Sequence, residues 1–200
     1  MQRFTEDDFG ITRLMSAFHL DWSNYAKSEY EVLEAALGEG ADTRDVMSLR
    51  HDAALLFDRL PSGVVEELWG AGIEASGFFG RRVPSGTQWT GSIIERCDAW
   101  LSQRESISRG RADQCDGHDS ASAILLEIQG TDHLGTELTS ALTQCVRLCT
   151  PDLAFRILLR VLLCKGEAIS HEQYEKFQSI GADLGYGEFL ISAPEHLVAR

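Results

Sequence analysis

Residues 152–165 constrain the fold more than any other part of the chain. They follow Thr150 and Pro151, a pair typical of a helix start, because threonine caps the helix and proline suits its first position. Apolar side chains then occupy most helical positions: Leu153, Phe155, Ile157, Leu158, Leu159, Val161, Leu162 and Leu163. A helix that is apolar on most sides has to be surrounded by other elements. We expect this helix to be the central one of the C-terminal half.

Apolar residues recur at helical spacing along almost the whole chain, whereas the alternation typical of strands is nearly absent. The clearest example ends at Pro61 and has these residues on its inner face: Val46, Leu49, Ala53, Leu56, Phe57 and Leu60. We expect another helix to open at Thr90, and residues 186–191 to form a short strand or an extended tail. The sequence therefore predicts an all-α protein, a compact bundle of eight to ten helices.

Two serines stand directly before helical patterns, and each begins a capping box. Ser28 is followed by Glu31, and Ser170 by Gln173, each three residues later. In a capping box the serine accepts a backbone N–H, and the later side chain bonds back to the N–H of the serine itself. We expect both bonds at both helix starts.

Residues 105–119 are rich in Ser, Arg, Asp and Gly and contain hardly any apolar side chain. They predict either a linker between two helical subdomains, residues 1–104 and 120–200, or a connection between two helices of one domain.

The net charge of −13, from 18 basic and 31 acidic residues, is shared by both halves of the chain. Such a charge repels nucleic acid and anionic lipid and accelerates encounters with a basic partner. The alternative is that the charge only keeps the protein soluble.

The odd number of cysteines, five, indicates a reducing compartment. With an acidic N-terminus and no long apolar run, we expect a cytoplasmic protein that binds neither nucleic acid nor membrane.

Motifs for catalysis and for cofactor binding are missing from the sequence, so it predicts no enzyme activity and no cofactor. His171 begins a segment similar to a zinc-protease helix, but Glu175 stands where the second histidine is required. Cys145 and Cys149 lie four residues apart and, with Cys164 or His133, offer thiolate and imidazole ligands for a metal. Burial as small apolar side chains is the favoured interpretation.

The cluster Phe18-His19-Leu20-Asp21-Trp22 lies where one helical pattern ends and a loop begins. Its rings are suited to burial, and we expect His19 and Asp21 to bond nearby backbone groups. Three acidic residues follow in the next helical segment, residues 28–37: Glu29, Glu31 and Glu34.

This arrangement resembles the N-terminal region of immunity proteins from contact-dependent growth inhibition systems. Members of that family begin with a short helix, an aromatic-His-x-Asp-Trp signature and a Glu-rich helix. The resemblance covers residues 1–104. It implies a bacterial protein that binds and neutralises a toxin domain delivered by a neighbouring cell, by stoichiometric occlusion of the toxin's active site and without turnover.

The resemblance also suggests which residues meet the toxin. A nucleic-acid-cleaving toxin has a basic surface, and acidic side chains can take the positions of the phosphates. The predicted toxin-binding residues are Glu29, Tyr30, Glu31, Glu34, Glu39, Asp42 and Asp45. A solvated helix face is the ordinary interpretation of such a run, and exposed aromatics such as Tyr25 are further anchors. We expect the four signature residues to hold the fold: Phe18, His19, Asp21 and Trp22.

A different class of function is also open. The chain is then a helical adaptor or regulatory module without a toxin partner, and the C-terminal half forms a homodimer. In that case the apolar helix of residues 153–163 is buried between two copies of the chain.

Overall fold

A computed structural model of the chain describes residues 8–38, 40–104 and 115–199. These residues form ten α-helices, joined by turns and short 3-10 segments, and contain no β-strand longer than an isolated bridge. The predicted all-α class is therefore confirmed. The helices are α1 Gly10–Ser16, α2 Glu29–Ala36, α3 Thr43–Arg59, α4 Ser62–Gly72, α5 Gly86–Ser102, α6 Ala121–Gly130, α7 Gly135–Leu148, α8 Pro151–Lys165, α9 His171–Asp183 and α10 Glu188–Ser192.

The chain divides into two compact units. Phe9–Gln114 is called the N-terminal unit, and the unit that contains Cys115–Arg200 is called the C-terminal unit. Most of the predicted linker, residues 105–114, lies outside the described residues. None of the described helices has the length and apolar content needed to cross a bilayer.

The core of the N-terminal unit forms where α3 packs against α1 and α5, and α4 packs against α5. Helix α1 has no cap from the residue before it. Instead the Ile11 N–H donates to the Asp52 carboxylate of α3 at 2.9 Å, and Asp52 is only 3% exposed. A buried carboxylate from a distant helix thus satisfies one of the free donors at the start of α1.

Two predictions for the N-terminal unit were wrong. Phe57 is 42% exposed, and its ring lies over Gly91 of α5 at the edge of the core. Helix α5 begins at Gly86 and not at Thr90, because Ser85 accepts the Gln88 N–H at 3.2 Å and acts as the cap. The Thr90 hydroxyl donates inside the helix, to the Gly86 carbonyl at 2.9 Å.

Helix α8 is the centre of the C-terminal unit, as predicted. Eleven of its fifteen residues are buried, and α6, α7 and the 3-10 segment Ala193–Leu197 pack against it. Thr150 caps it by accepting the Leu153 N–H at 3.1 Å, and Gly166 ends it in the left-handed conformation. Most of its apolar side chains are therefore covered within one chain.

The other end of the C-terminal unit differs from prediction. Residues 186–191 form neither a strand nor a tail, because Glu188–Ser192 is helix α10. Its Ile191 side chain occupies the space beside Gly181 of α9, where a Cβ would collide with it. A glycine in α9 thus lets the two helices approach closely, a tertiary contact without a local sequence signal.

Candidate functional site

Phe18 is the centre of an aromatic cluster in the N-terminal unit. Its ring is fully buried and meets four other rings edge to face, with centroids 5.2–6.0 Å away: Trp22, Trp69, Phe78 and Trp89. Edge-to-face pairs contribute about 0.5–1.5 kcal/mol each beyond the area that they bury. The cluster therefore anchors the chain on both sides of residues 19–21.

The backbone of the loop after α1 is held by specific bonds. His19 Nδ1 accepts the Asp21 N–H at 3.2 Å, so the prediction for His19 is confirmed. The Asp21 carboxylate is exposed and makes no capping bond to the 3-10 turn that follows. Glu74, which follows α4, makes two bonds to the same loop. Its carboxylate accepts the Leu20 N–H at 3.3 Å, and its backbone N–H donates to the Phe18 carbonyl at 3.2 Å.

Two large apolar side chains of this loop point away from the core. Leu20 is 76% exposed and Tyr25 is 83% exposed, whereas Phe18 and Trp22 are 0% and 4% exposed. The His19 ring lies edge to face with Tyr25, at a centroid distance of 6.1 Å. We call residues 19–25 the presenting loop, because the buried Phe18 and Trp22 hold its exposed residues in place. An anchored aromatic with high exposure is typical of an interface anchor.

The predicted toxin-binding residues do not form one free acidic face. Glu29 is 5% exposed, and its carboxylate pairs with Arg82 at 3.2 Å. The Arg82 guanidinium also lies 4.8 Å from the centre of the Trp22 ring. Glu29 is thus part of the support beneath the presenting loop.

The acids on the remaining surface of α2 and α3 also have intramolecular partners. Glu34 pairs with Arg96 at 3.5 Å, and Asp45 with Arg13 at 2.6 Å. Tyr30 is half-buried, with its ring 4.9 Å below the Arg96 guanidinium. The sequence showed few bases near these acids, but other helices supply the arginines.

Glu31 and Asp42 act as helix-start residues. Ser28 accepts the Glu31 N–H at 3.2 Å as predicted, but the Glu31 carboxylate accepts the N–H of Lys27 and not that of Ser28. Asp42 caps α3 by accepting the Asp45 N–H at 2.8 Å. The side chains of Glu31 and Asp42 remain exposed. Glu39, the last of the predicted acids, lies outside the described residues.

The Arg13–Asp45 pair lines a depression of about 430 Å³ between α1 and α3. Small side chains make most of its wall, among them Ala17, Ala35 and Ala41. Because these side chains are small, they leave the depression open. No motif in the sequence marked it, since the residues come from three separate segments.

Cys97 and Cys145 are buried, whereas Cys149 and Cys164 are half-buried and Cys115 is exposed. All five are thiols, and none forms a disulfide. Burial raises the pKa of Cys97 to about 12, so this thiol stays protonated at neutral pH and is a poor nucleophile. Among the described residues, no three His, Cys, Asp or Glu side chains are grouped so as to hold a metal ion. Cys145 is fully buried in the C-terminal core.

The chain was compared with protein families, curated proteins and solved structures. No family model, no curated protein and no solved structure matches this chain.

Proposed function

We propose that this protein is an immunity protein that binds the toxin domain of a contact-dependent growth inhibition system and occludes its active site. The observation that carries the proposal is the presenting loop. It lies in the segment that resembles the family signature, and it holds Tyr25 and Leu20 in solvent above a buried aromatic base. An anchor that is held in place before binding loses little conformational entropy on binding.

The acidic residues have a secondary role in this proposal. Arginines of the same unit neutralise Glu29, Glu34 and Asp45, so these carboxylates are less available to a toxin. The overall charge of −13 still attracts a basic partner such as a nuclease domain. We infer that the charge accelerates the encounter, and that the apolar anchors of the presenting loop determine how long the complex lasts.

The test is a binding and protection experiment with the toxin domain encoded beside this gene. We expect a one-to-one complex and rescue of toxin-expressing cells. Tyr25→Ala should weaken binding by about 30-fold, mainly through faster dissociation, because truncating an interface anchor costs roughly 2 kcal/mol or more. Leu148→Ala in the C-terminal unit is the matched control, since Leu148 is also exposed but lies in another unit.

The charge contribution is tested separately with Glu31→Gln and Asp42→Asn. Both substitutions remove a charge and keep a side-chain oxygen that can accept the same backbone N–H. We expect slower association at low salt and no difference at high salt.

Full affinity and rescue by Tyr25→Ala would contradict the role of the loop. No complex and no rescue with the wild-type chain would leave the helical adaptor as the better explanation.

A further inference from the structure

A groove in the C-terminal unit runs between α6 and α9 and has a volume of about 570 Å³. Helix α6 lines it with residues at positions i, i+3, i+4 and i+7, which share one helical face: Ala123, Leu126, Glu127 and Gly130. The face of α9 between Glu172 and Asp183 forms the opposite wall. At 1.5 Å per residue, these walls are about 10 and 16 Å long, which matches two to three turns of a helix.

The groove is built before any partner binds. At one end the Gln173 amide donates to the Thr131 hydroxyl at 2.9 Å, and this hydroxyl donates to the Glu127 carbonyl at 2.7 Å. These two bonds join α9 to the C-terminal end of α6. The small residues Ala123, Gly130 and Ser179 keep the groove open between the walls.

One large apolar side chain of the groove is exposed. Leu126 is 66% exposed on the α6 wall, whereas Ile180 of α9 is 4% exposed and belongs to the floor. The exposed leucine beside an apolar floor is suited to the apolar face of an incoming helix.

The charges of the groove favour a cationic partner. Three carboxylates, of Glu127, Glu172 and Asp183, line it with one ammonium group, that of Lys176. Lys176 is already matched, because its Nζ lies 2.9 Å from Glu172 and 3.7 Å from Glu127. Burial raises the pKa of Glu127, while Lys176 and Gln173 lower it. A further cation would stabilise the charged form of this poorly solvated carboxyl group.

We propose that the groove between α6 and α9 docks a cationic amphipathic helix of a partner protein. The apolar face of that helix covers Leu126 and Ile180, and its lysines or arginines meet Glu127 and Asp183. A second copy of this chain is a poor occupant, because it too carries a charge of −13. The proposal concerns the C-terminal unit alone and does not depend on toxin binding by the presenting loop.

The first test uses the full chain and a labelled 14-residue peptide made of leucine and lysine, with leucines at i, i+3, i+4 and i+7. We expect saturable one-to-one binding by fluorescence anisotropy at 0.15 M salt. The same peptide with glutamate in place of lysine should not bind. Leu126→Gln should raise the Kd about tenfold, because it removes the exposed apolar contact and leaves the charge unchanged.

Leu148→Gln is the control variant, because it makes the same change at an exposed leucine of α7 that does not line the groove. It should leave the Kd within about twofold of wild type. Asp183→Lys tests the charge and should weaken binding further than Leu126→Gln. Absence of saturable binding, equal binding of the acidic peptide, or an unchanged Kd for Leu126→Gln would overturn the proposal. A concentration-dependent dimer that Leu126→Gln abolishes would also overturn it, since the occupant would then be a second copy.

Discussion

Arg82 illustrates how single side chains support the presenting loop. Its guanidinium pairs with the buried Glu29 carboxylate at 3.2 Å and lies over the Trp22 ring at 4.8 Å. An arginine fits this position because its planar group can stack on a ring and bond a carboxylate at the same time. Trp22 is therefore held from the core side by Phe18 and from the solvent side by Arg82.

Trp22 and Tyr25 form a matched pair for a test of stability. Trp22→Ala should lower the free energy of unfolding by about 3–5 kcal/mol, as truncations of buried aromatic residues do. Tyr25→Ala should change it by less than about 0.5 kcal/mol, because Tyr25 is 83% exposed. Urea unfolding of both variants measures the difference. A Trp22→Ala protein with wild-type stability and lost toxin binding would instead place Trp22 at the interface.

At the scale of elements, the two units use their helix contacts differently. In the N-terminal unit, arginines from α1 and α5 neutralise acids of α3 and α2, so charged side chains link neighbouring helices. In the C-terminal unit, α8 supplies most of the core. It also carries the buried pair Asp152 and Arg156, and the Tyr186 hydroxyl donates to the Asp152 carboxylate at 2.9 Å. Helices α6 and α9 meet at its side, where Lys176 joins Glu127 and Glu172.

The pairing of α6 and α9 predicts a pH dependence. Burial raises the pKa of Glu127 above its ordinary value of 4.5, so the folded protein binds this proton more tightly than the unfolded chain does. The resulting stability is fully present below the unfolded pKa and is lost as pH rises through the folded pKa. Glutamine in Glu127→Gln does not titrate, so the variant lacks this loss of stability as pH rises. We expect its free energy of unfolding, relative to wild type, to increase from pH 4 to pH 7 in urea titrations.

Glu172→Gln is the control with the opposite sign. Lys176 lowers the pKa of Glu172, so its carboxylate stabilises the fold above the unfolded pKa, and this contribution is lost as pH falls through the lowered value. This variant should lose stability at pH 7 relative to wild type and recover it near pH 3. Parallel pH profiles of the two variants would contradict the assigned environments.

For the whole molecule, the decisive feature is that each unit has its own core. All four tryptophans lie in the N-terminal unit, three of them in the Phe18 cluster, whereas the C-terminal unit is built on α8. Units with separate hydrophobic cores can unfold separately. Tryptophan fluorescence therefore reports on the N-terminal unit, and far-ultraviolet circular dichroism reports on the helices of both.

We expect the fluorescence and circular dichroism midpoints in urea to differ. Trp22→Ala should shift the transition seen by fluorescence of the remaining tryptophans. Gly117→Ala should act on the C-terminal unit, because Gly117 has φ +74° and a Cβ would lie 2.7 Å from the Leu184 side chain. We expect it to cost about 1–3 kcal/mol, seen by circular dichroism alone. Coincident transitions that both variants shift together would show that the chain unfolds as one cooperative domain.

Toxin binding and peptide docking are assigned to different units, so the variants of each provide controls for the other. Tyr25 belongs to the N-terminal unit, and Leu126 and Leu148 belong to the C-terminal unit. Loss of both activities in one variant would indicate unfolding and not a lost contact. A melting curve of the same variant distinguishes the two causes.

The sequence by itself determined most of the helices, the caps at Ser28, Thr150 and Ser170, the central place of α8 and the burial of Phe18 and Trp22. These features follow from local rules, since apolar spacing and caps act within a few residues. Only the tertiary structure decided which acids are neutralised, because Arg13, Arg82 and Arg96 are distant in sequence from Asp45, Glu29 and Glu34. It also decided the exposure of Phe57 and the groove at Leu126. Ion pairs and grooves depend on which helices become neighbours, and no local pattern carries that information.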